Sequence, residues 1–226
     1  MVGKSKIVLW NSPKSLGKDT AIEYLEDWCG IPLVRREAKG KLHTLVQEFF
    51  CVSPERYWEI YNDRELKETP LEEFSLRFYW EDEYKHLSKV LGYDITCYDI
   101  TTDRLWLSVR EAMIYVSEVI CKPRFGENYF GVARAKAIQD NEIAVDGSTG
   151  FESELPPLIE RLGQENILLI RVHREGATFE GDSRNYIPDG VITNTVDVNS
   201  VYGELTEYLE EVKVIVEKFL DDTNKN

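Results

Sequence analysis

The chain has 226 residues, of which 42% are hydrophobic and 30% charged, so it has the composition of a globular protein with a sizeable core. Its 41 acidic and 27 basic side chains give a formal net charge of -14. This charge argues against a nucleic-acid partner, because such binding depends on Lys and Arg side chains that neutralise phosphates. The four cysteines form no C-x-x-C pair and only three histidines are present, a pattern typical of neither a zinc site nor a disulfide framework.

The N-terminal region leads into four apolar residues, Ile7 to Trp10. This run is too short for a signal-peptide core or a membrane span, and no other run is long enough. The cysteines fit reduced thiols, which are typical of the cytoplasm. We therefore expect a cytoplasmic protein with no membrane partner.

Strand and helix patterns alternate along the chain. A buried strand is expected at 7–10, and after a turn-rich segment a helix begins near Lys18 with an apolar stripe of helical period. The same patterns predict strands at 32–34, 143–146, 167–172 and 191–192, and helices at about 41–52, 109–119, 129–138, 153–162 and 201–220. The stretch 54–105 gives only weak helix signals. This alternation predicts an α/β fold, a single domain with insertions in which helices flank a parallel sheet.

The segment 12–20 joins the first strand to the first helix, which is the setting of a phosphate-binding P-loop. In such a loop, backbone N–H groups from residues such as Ser15 and Gly17 wrap the phosphates, and the helix N-terminus adds the positive end of its dipole. Gly17 permits a close backbone approach, and Lys18 would reach the β- and γ-phosphates of a nucleotide.

This loop departs from the pattern G-x-x-x-x-G-K-[ST]. Ser12 stands where the first Gly is expected, Asp19 follows Lys18, and the hydroxyl residue comes one place later, at Thr20. Thr20 either supports magnesium or a phosphate, or caps the helix. Asp19 either holds the loop geometry or is a favourable acidic residue at the helix start. The alternative for the whole segment is an ordinary Gly-Lys helix start with no nucleotide.

Asp146 closes the apolar run 143–146. In an α/β sheet, ligands lie beyond the carboxyl ends of the strands, and P-loop proteins hold magnesium there with a carboxylate. Asp146 is therefore a candidate magnesium ligand, through water. The alternative is that it caps the turn that follows the strand.

The string Gly17-Lys18-Asp19-Thr20 resembles the loop of nucleoside monophosphate kinases, in which the hydroxyl residue is displaced by one. Further segments, in the same order, are similar to the tailed-phage deoxynucleoside monophosphate kinases. These segments are Asn62-Asp63-Arg64-Glu65-Leu66-Lys67-Glu68, residues 107–131, Asp146 with Gly150-Phe151 and Glu154, residues 171–187, and residues 189–194 with the final helix. The resemblance covers most of the chain and is thin from 78 to 103.

The resemblance implies a P-loop NTPase fold with an acceptor-binding insertion at about residues 35–125 and a lid at residues 174–187. It implies ATP as co-substrate and Mg2+ as cofactor. In the lid, Arg174 and Arg184 would close onto the transferring phosphoryl group, because arginine binds phosphate through a planar fork. Without the resemblance, both would be read as solvated loop arginines.

For the phosphate of the acceptor, the resemblance points to Arg110. Arg35, Lys122 and Arg124 are further candidates for the same role, each with the alternative of an ordinary surface charge. Tyr79, Trp80 and Tyr129 are candidates for stacking on a base, although most aromatic residues must lie in the core. The stretch 54–105 is either an acceptor-binding insertion or the surface of a homodimer.

The leading hypothesis is an ATP-dependent kinase that phosphorylates a deoxynucleoside monophosphate, in the host cytoplasm if the chain is phage-encoded. Its partners would be small-molecule nucleotides. A second hypothesis is a kinase that acts on a hydroxymethylated base within DNA, which the net charge disfavours. The third is a nucleotide-binding regulator without catalysis, and the fourth is a structural protein that has lost nucleotide binding. The missing first Gly of the loop is the best support for the third.

Overall fold

The computed structural model describes residues 4–77, 81–92, 98–99, 104–180 and 184–222. The chain divides into two units. The first contains Met1–Lys39 and Phe130–Asn226, and the second contains Gly40–Tyr129. The second unit thus occupies the part of the chain in which an insertion at 35–125 was expected, but its binding of an acceptor stays a prediction.

The first unit is built on a five-stranded parallel sheet in the order β2-β6-β1-β7-β8. Its strands are β1 (Lys6–Asn11), β2 (Leu33–Arg35), β6 (Ile143–Asp146), β7 (Ile167–His173) and β8 (Asn194–Asn199), while β3 to β5 belong to the second unit. In the parallel pairing of β1 with β6, Leu9 lies beside Asp146, so the carboxyl ends of both strands lie at the same edge of the sheet. The predicted α/β class, with a parallel sheet flanked by helices, is confirmed.

Alternate residues of the central strands face opposite sides of the sheet, and each side carries its own core. Val8 and Trp10 of β1 pack on one side against α1 (Lys18–Glu23) and α9 (Leu205–Asp222). On the other side, Ile7 and Leu9 pack against α7 (Tyr129–Ala137) and α8 (Pro156–Leu162). This two-sided burial explains why β1 reads as a continuous apolar run.

The helix that follows the segment 12–20 is α-helical over fewer residues than its apolar stripe predicts. The α-helix ends at Glu23, and a π-helical turn continues from Tyr24–Trp28. The expected strand at 191–192 is wrong: these residues form bends, and β8 begins only at Asn194. Polar residues alternate with Val196 and Val198 along β8, so this strand lacks the continuous apolar run that predicts the central strands. Within the described parts of the chain, no helix combines the length and apolar character needed to cross a membrane.

The second unit contains a small antiparallel sheet in the order β3-β5-β4, together with helices. Its elements are α2 (Ala38–Phe50, which begins in the first unit), α3 (Pro54–Asn62), β3 (Leu71–Leu76), α4 (Glu81–Leu91), β4 (Tyr98–Asp99), β5 (Arg104–Leu107), α5 (Val109–Ile114) and α6 (Lys122–Phe125). Side-chain hydrogen bonds at the N-cap define where two of these helices begin. Ser53 caps α3 through the N–H of Arg56, and Ser108 and Glu111 form a reciprocal capping box on α5. A π-helical segment, Tyr115–Cys121, joins α5 to α6.

Replacement of Gly131 by Ala should destabilise the first unit. A Cβ atom at Gly131 would lie 2.3 Å from the carbonyl oxygen of Glu154, so α7 would have to move away from backbone that cannot yield. Overpacking of this kind costs about 1–3 kcal/mol or more. Gly40→Ala is the matched control, because nothing lies within 4 Å of a Cβ there and Ala favours the helix. Urea unfolding of both variants checks this, and equal midpoints would contradict it.

Candidate active site

The segment between β1 and α1 forms an open pocket of about 300 Å³, lined by residues Ser15, Leu16, Gly17, Lys18, Asp19 and Thr20. Two residues have left-handed backbone: Gly17 with φ of 81° and Ser15 with φ of 63°. Glycine adopts this conformation without strain, whereas serine does so only when its surroundings hold it. The N–H of Ala21 donates to the carbonyl of Gly17 and starts the helix, at 2.9 Å. The sequence-predicted loop residues thus surround one pocket beyond the carboxyl end of β1.

Lys18 is paired within the loop. Its Nζ donates to Oδ2 of Asp19 at 2.6 Å, and the side chains of Lys18 and Asp19 are 20% and 63% exposed. An ion pair exposed to this degree contributes about 0–1 kcal/mol, so a phosphate can displace the carboxylate at little cost. Thr20 is exposed beside them. Asp19 therefore partly neutralises Lys18, and a stronger anion can break this ion pair.

Arg174 fastens the loop to the segment that follows β8. Its Nε and NH2 groups donate to the carbonyl and the hydroxyl of Ser200 at 2.9 and 2.6 Å. Its NH1 group donates to the carbonyl of Ser15 at 3.2 Å. The guanidinium therefore holds the strained residue of the loop. The sequence predicted Arg174 within a lid. It did not identify Ser200 as a partner of Arg174, because Ser200 belongs to none of the motifs.

Arg184 lies against the turn that follows β6. A Cβ at Gly150 would come within 2.5 Å of the Arg184 Cβ, so the stem of the arginine packs directly on this glycine. The Arg184 guanidinium lies 5.8 Å from the centre of the Phe179 ring. The N–H of Asn185 donates to the Gly150 carbonyl at 3.2 Å. The C-terminal end of the predicted lid is thus bound to the first unit. Residues Asp182 and Ser183 lie outside the described residues, and a mobile lid stays a prediction.

Asp146 is fully buried and forms an ion pair with Arg134, which is also inaccessible to solvent. One carboxylate oxygen accepts from Arg134 and from the N–H of Ala38, and the other accepts from the N–H and hydroxyl of Ser148, both at 2.6 Å. Burial alone would raise the pKa of Asp146. The Arg134 charge and the Ser148 hydrogen bonds outweigh burial and hold that pKa below its ordinary value.

Sequence reasoning missed Arg134, although it lies on the same face of α7 as the buried Phe130. A basic residue among the apolar positions of a helix is the signal that points to a buried partner. Because Arg134 and Ser148 occupy the carboxylate, Asp146 shapes the turn after β6 in this structure. Its role as a magnesium ligand through water stays a prediction.

The oxygen atoms near the pocket can supply only part of the coordination shell of Mg2+. No group of three or more His, Cys, Asp or Glu side chains suited to a metal occurs among the described residues. The oxygens of Asp19 and Thr20 line the pocket and are exposed. Mg2+ usually keeps several waters and binds one or two carboxylates together with substrate phosphates. This donor set would suit a magnesium ion that a nucleotide brings with it.

The four candidates for the acceptor phosphate lie in different places. Arg35 belongs to the first unit and pairs with Glu26 at 3.7 Å. Arg110, Lys122 and Arg124 lie in the second unit. Arg110 contacts a carboxylate oxygen of Glu68 at 3.5 Å.

Lys122 is 6% exposed and pairs with Glu118 at 2.6 Å, whereas Arg124 donates to the Ile120 carbonyl at 3.2 Å. Burial raises the pKa of the Cys121 thiol, and the charges of Arg124 and Lys41 oppose that rise. The sequence did not single out Lys41, which stands outside the quoted motifs.

Of the candidates for base stacking, Tyr79 and Trp80 lie outside the described residues. Tyr129 stacks on Phe125 with ring centres 4.9 Å apart and an interplanar angle of 26°. Phe125 is exposed, so one side of this stacked pair is accessible. Tyr129 therefore has an aromatic partner in the absence of a base, and its binding of a base stays a prediction.

Replacement of Asp146 by Asn should destabilise the protein by about 3–5 kcal/mol at neutral pH, because it leaves the Arg134 charge buried without its partner. The folded pKa of Asp146 lies below its ordinary value of 3.8, so the stability it contributes is present above that pH and is lost as the pH falls below it. The difference between wild type and variant should therefore shrink in acid. Asp140→Asn is the control, since Asp140 is 90% exposed. Unfolding curves at neutral and acid pH check this, and a pH-independent difference contradicts it.

Comparison with solved structures finds several similar chains. No protein-family model matches the sequence, and no curated protein matches it. The crystal structure of a gluconokinase from Sinorhizobium meliloti 1021 aligns with 98% of this chain and 97% of its own, at 13% sequence identity and a TM-score of 0.42. A likeness at this level carries no conclusion about activity or substrate.

Proposed function

We propose that the protein is a kinase that transfers the terminal phosphoryl group of ATP to a deoxynucleoside monophosphate. The observation that carries the proposal is the pocket formed by 15–20, in which Gly17 has left-handed backbone and Lys18 stands at the start of α1 beyond the end of β1. This arrangement of strand, loop and lysine suits binding of nucleotide phosphates. The resemblance of 17–20 to nucleoside monophosphate kinases supports the nucleotide as acceptor.

In this proposal Lys18 leaves Asp19 and pairs with the β- and γ-phosphates of ATP. Asp19 and Thr20 would then hold the magnesium ion that accompanies the nucleotide. Mg2+ supplies neutralisation of the phosphate charge. A phosphate acceptor is itself a nucleophile, so the reaction requires positioning and charge and no protein base.

The base of ATP is proposed to rest on the segment after β8. Val201 and Leu205 are each 49% exposed and Tyr202 is 92% exposed, so three apolar side chains face solvent together. Ser200, directly before them, is tied to Ser15 of the loop through Arg174. An exposed aromatic ring two residues after Ser200 suits stacking on a base.

The two arginines have separate proposed roles. Arg174 supports the loop through Ser15, because its guanidinium is committed to that carbonyl and to Ser200. Arg184 is proposed to contact the transferring phosphoryl group, as the resemblance implies. For the acceptor phosphate, Arg110 is proposed on the resemblance, with Arg35, Lys122 and Arg124 as further candidates.

An ADP-release assay with ATP and magnesium tests the proposal directly. The acceptors are dTMP, dGMP, dCMP, dAMP, dUMP and a 5-hydroxymethyl pyrimidine monophosphate, one at a time. We expect release that depends on at least one of them. Lys18→Ala should lower turnover by about 100-fold or more, because removal of one preorganised charge contact has effects of this order. Lys14→Ala, an exposed lysine of the same loop, should leave turnover unchanged.

Retained turnover in Lys18→Ala would contradict the role of the loop. Binding of ATP without release for any acceptor would contradict the monophosphate kinase. In that case DNA oligonucleotides with hydroxymethylated bases are the next substrates. A kinase of such DNA should bind it with an affinity that falls steeply with salt.

Replacement of Tyr202 by Ala should raise the KM for ATP by about 10-fold while kcat stays within about twofold, because stacking on a base is worth about 1–3 kcal/mol and is made equally in the ground state and the transition state. The fold should be unaffected, since the side chain is 92% exposed. Tyr202→Phe keeps the ring and should behave as wild type. An unchanged KM for Tyr202→Ala would place the base elsewhere.

A further inference from the structure

The side chain of Asn11 joins three segments of the chain at the carboxyl end of β1. Its Nδ2 donates to the carbonyl oxygens of Thr149 and Asn185, both at 3.0 Å. Its Oδ1 accepts from the N–H of Ile187 at 2.7 Å. The residue is completely buried, and these bonds give a partner to both amide hydrogens and to the oxygen. Rotation or loss of the amide would leave buried backbone groups unpaired.

The segments held by Asn11 are those that place Arg184. Thr149 precedes Gly150, on which the stem of Arg184 packs, and Asn185 follows Arg184 directly. The backbone of Asn185 is bound a second time, through its N–H to the Gly150 carbonyl at 3.2 Å. Asn11 therefore fixes both the surface under the arginine and the backbone beside it.

On its other side Asn11 is followed by Ser12, the first residue of the phosphate-binding loop. One buried amide thus connects the end of the strand that carries the loop with the segment that carries Arg184. Asn166 at the opposite edge of the sheet offers a contrast. It is equally buried, but its Nδ2 donates to nearby oxygens, the Leu162 carbonyl at 2.7 Å and the Glu165 carboxylate at 3.3 Å.

We infer that Asn11 is a positioning residue, which holds Arg184 where it meets the γ-phosphate of ATP bound on the loop. The inference rests on the proposed function. A shorter side chain breaks the connection between Thr149, Asn185 and Ile187, so the arginine loses its orientation although its charge remains. Asp at position 11 has nearly the same shape but places an oxygen against two carbonyl oxygens, which repels both segments.

The test measures recognition of the γ-phosphate and needs no acceptor. Calorimetry gives the Kd values of ADP and of a non-hydrolysable ATP analogue, each with magnesium. The Kd of ADP divided by the Kd of the analogue reports the strength of the γ-phosphate contact. Arg184→Ala should lower this ratio by about 10-fold, as expected for loss of a charge-assisted contact. Asn11→Ser and Asn11→Asp should lower the ratio by a similar factor, with the Kd of ADP changed less than about threefold.

A double variant separates positioning from general damage. In Asn11→Ser with Arg184→Ala the ratio should equal that of Arg184→Ala alone, because an arginine that is absent has no orientation to lose. Asn166→Ser is the matched control, a buried asparagine at the other edge, and it should leave the ratio unchanged. Thermal melting of each variant shows that the folded protein is being measured.

The outcomes distinguish the inference from the function on which it rests. A lowered ratio in Arg184→Ala together with an unchanged ratio in both Asn11 variants overturns the inference and leaves the role of Arg184 standing. Effects of Asn11→Ser and Arg184→Ala that multiply in the double variant also overturn it. An unchanged ratio in Arg184→Ala overturns the proposed role of that arginine, and the inference with it. Failure of both Asn11 variants to fold overturns it as well, because the amide would then serve the whole sheet edge.

Discussion

The ion pair between Arg134 and Asp146 is the interaction on which the functional end of the first unit depends. Both side chains are inaccessible to solvent, so each charge is stable there only because the other is present. The pair also carries neutral partners: Arg134 donates to the Glu154 carbonyl and Asp146 accepts from Ser148. These contacts join α7, the end of β6 and the turn after it. The segment after β6 also contains Gly150, against which the stem of Arg184 packs.

A parallel sheet creates the need for such contacts. Its strands end at one edge, where backbone groups of several loops are buried without a ladder to pair them. Polar side chains at strand ends fill this need in the first unit. Asn11 at the end of β1 and Asp146 at the end of β6 lie on neighbouring strands, and each bonds to backbone groups of adjacent segments. The place where a ligand can bind is thus also a place where buried polar contacts hold the loops.

The sequence predicts much of this arrangement, for identifiable reasons. Continuous apolar runs such as 7–10 and 167–172 mark buried parallel strands, and Gly17 followed by Lys18 marks the loop. The strand β8 was misplaced because its outward residues are polar. Arg174 was expected to move with a lid, but its partners Ser15 and Ser200 are 159 and 26 residues away in sequence. Arg134 stands among the apolar positions of α7, which indicates burial, but no local pattern identifies Asp146, in another element, as its partner.

The contact between Lys18 and Asp19 has a consequence for the choice of anion. Inorganic phosphate offers one small ion, which can take Lys18 from Asp19 but leaves the Asp19 carboxylate without a cation. A nucleoside triphosphate brings several phosphates and a metal ion, and the metal attracts the carboxylate that the lysine releases. Under the proposed function, a metal-bound polyphosphate therefore gives a new partner to both members of the pair, whereas free phosphate gives one to Lys18 alone.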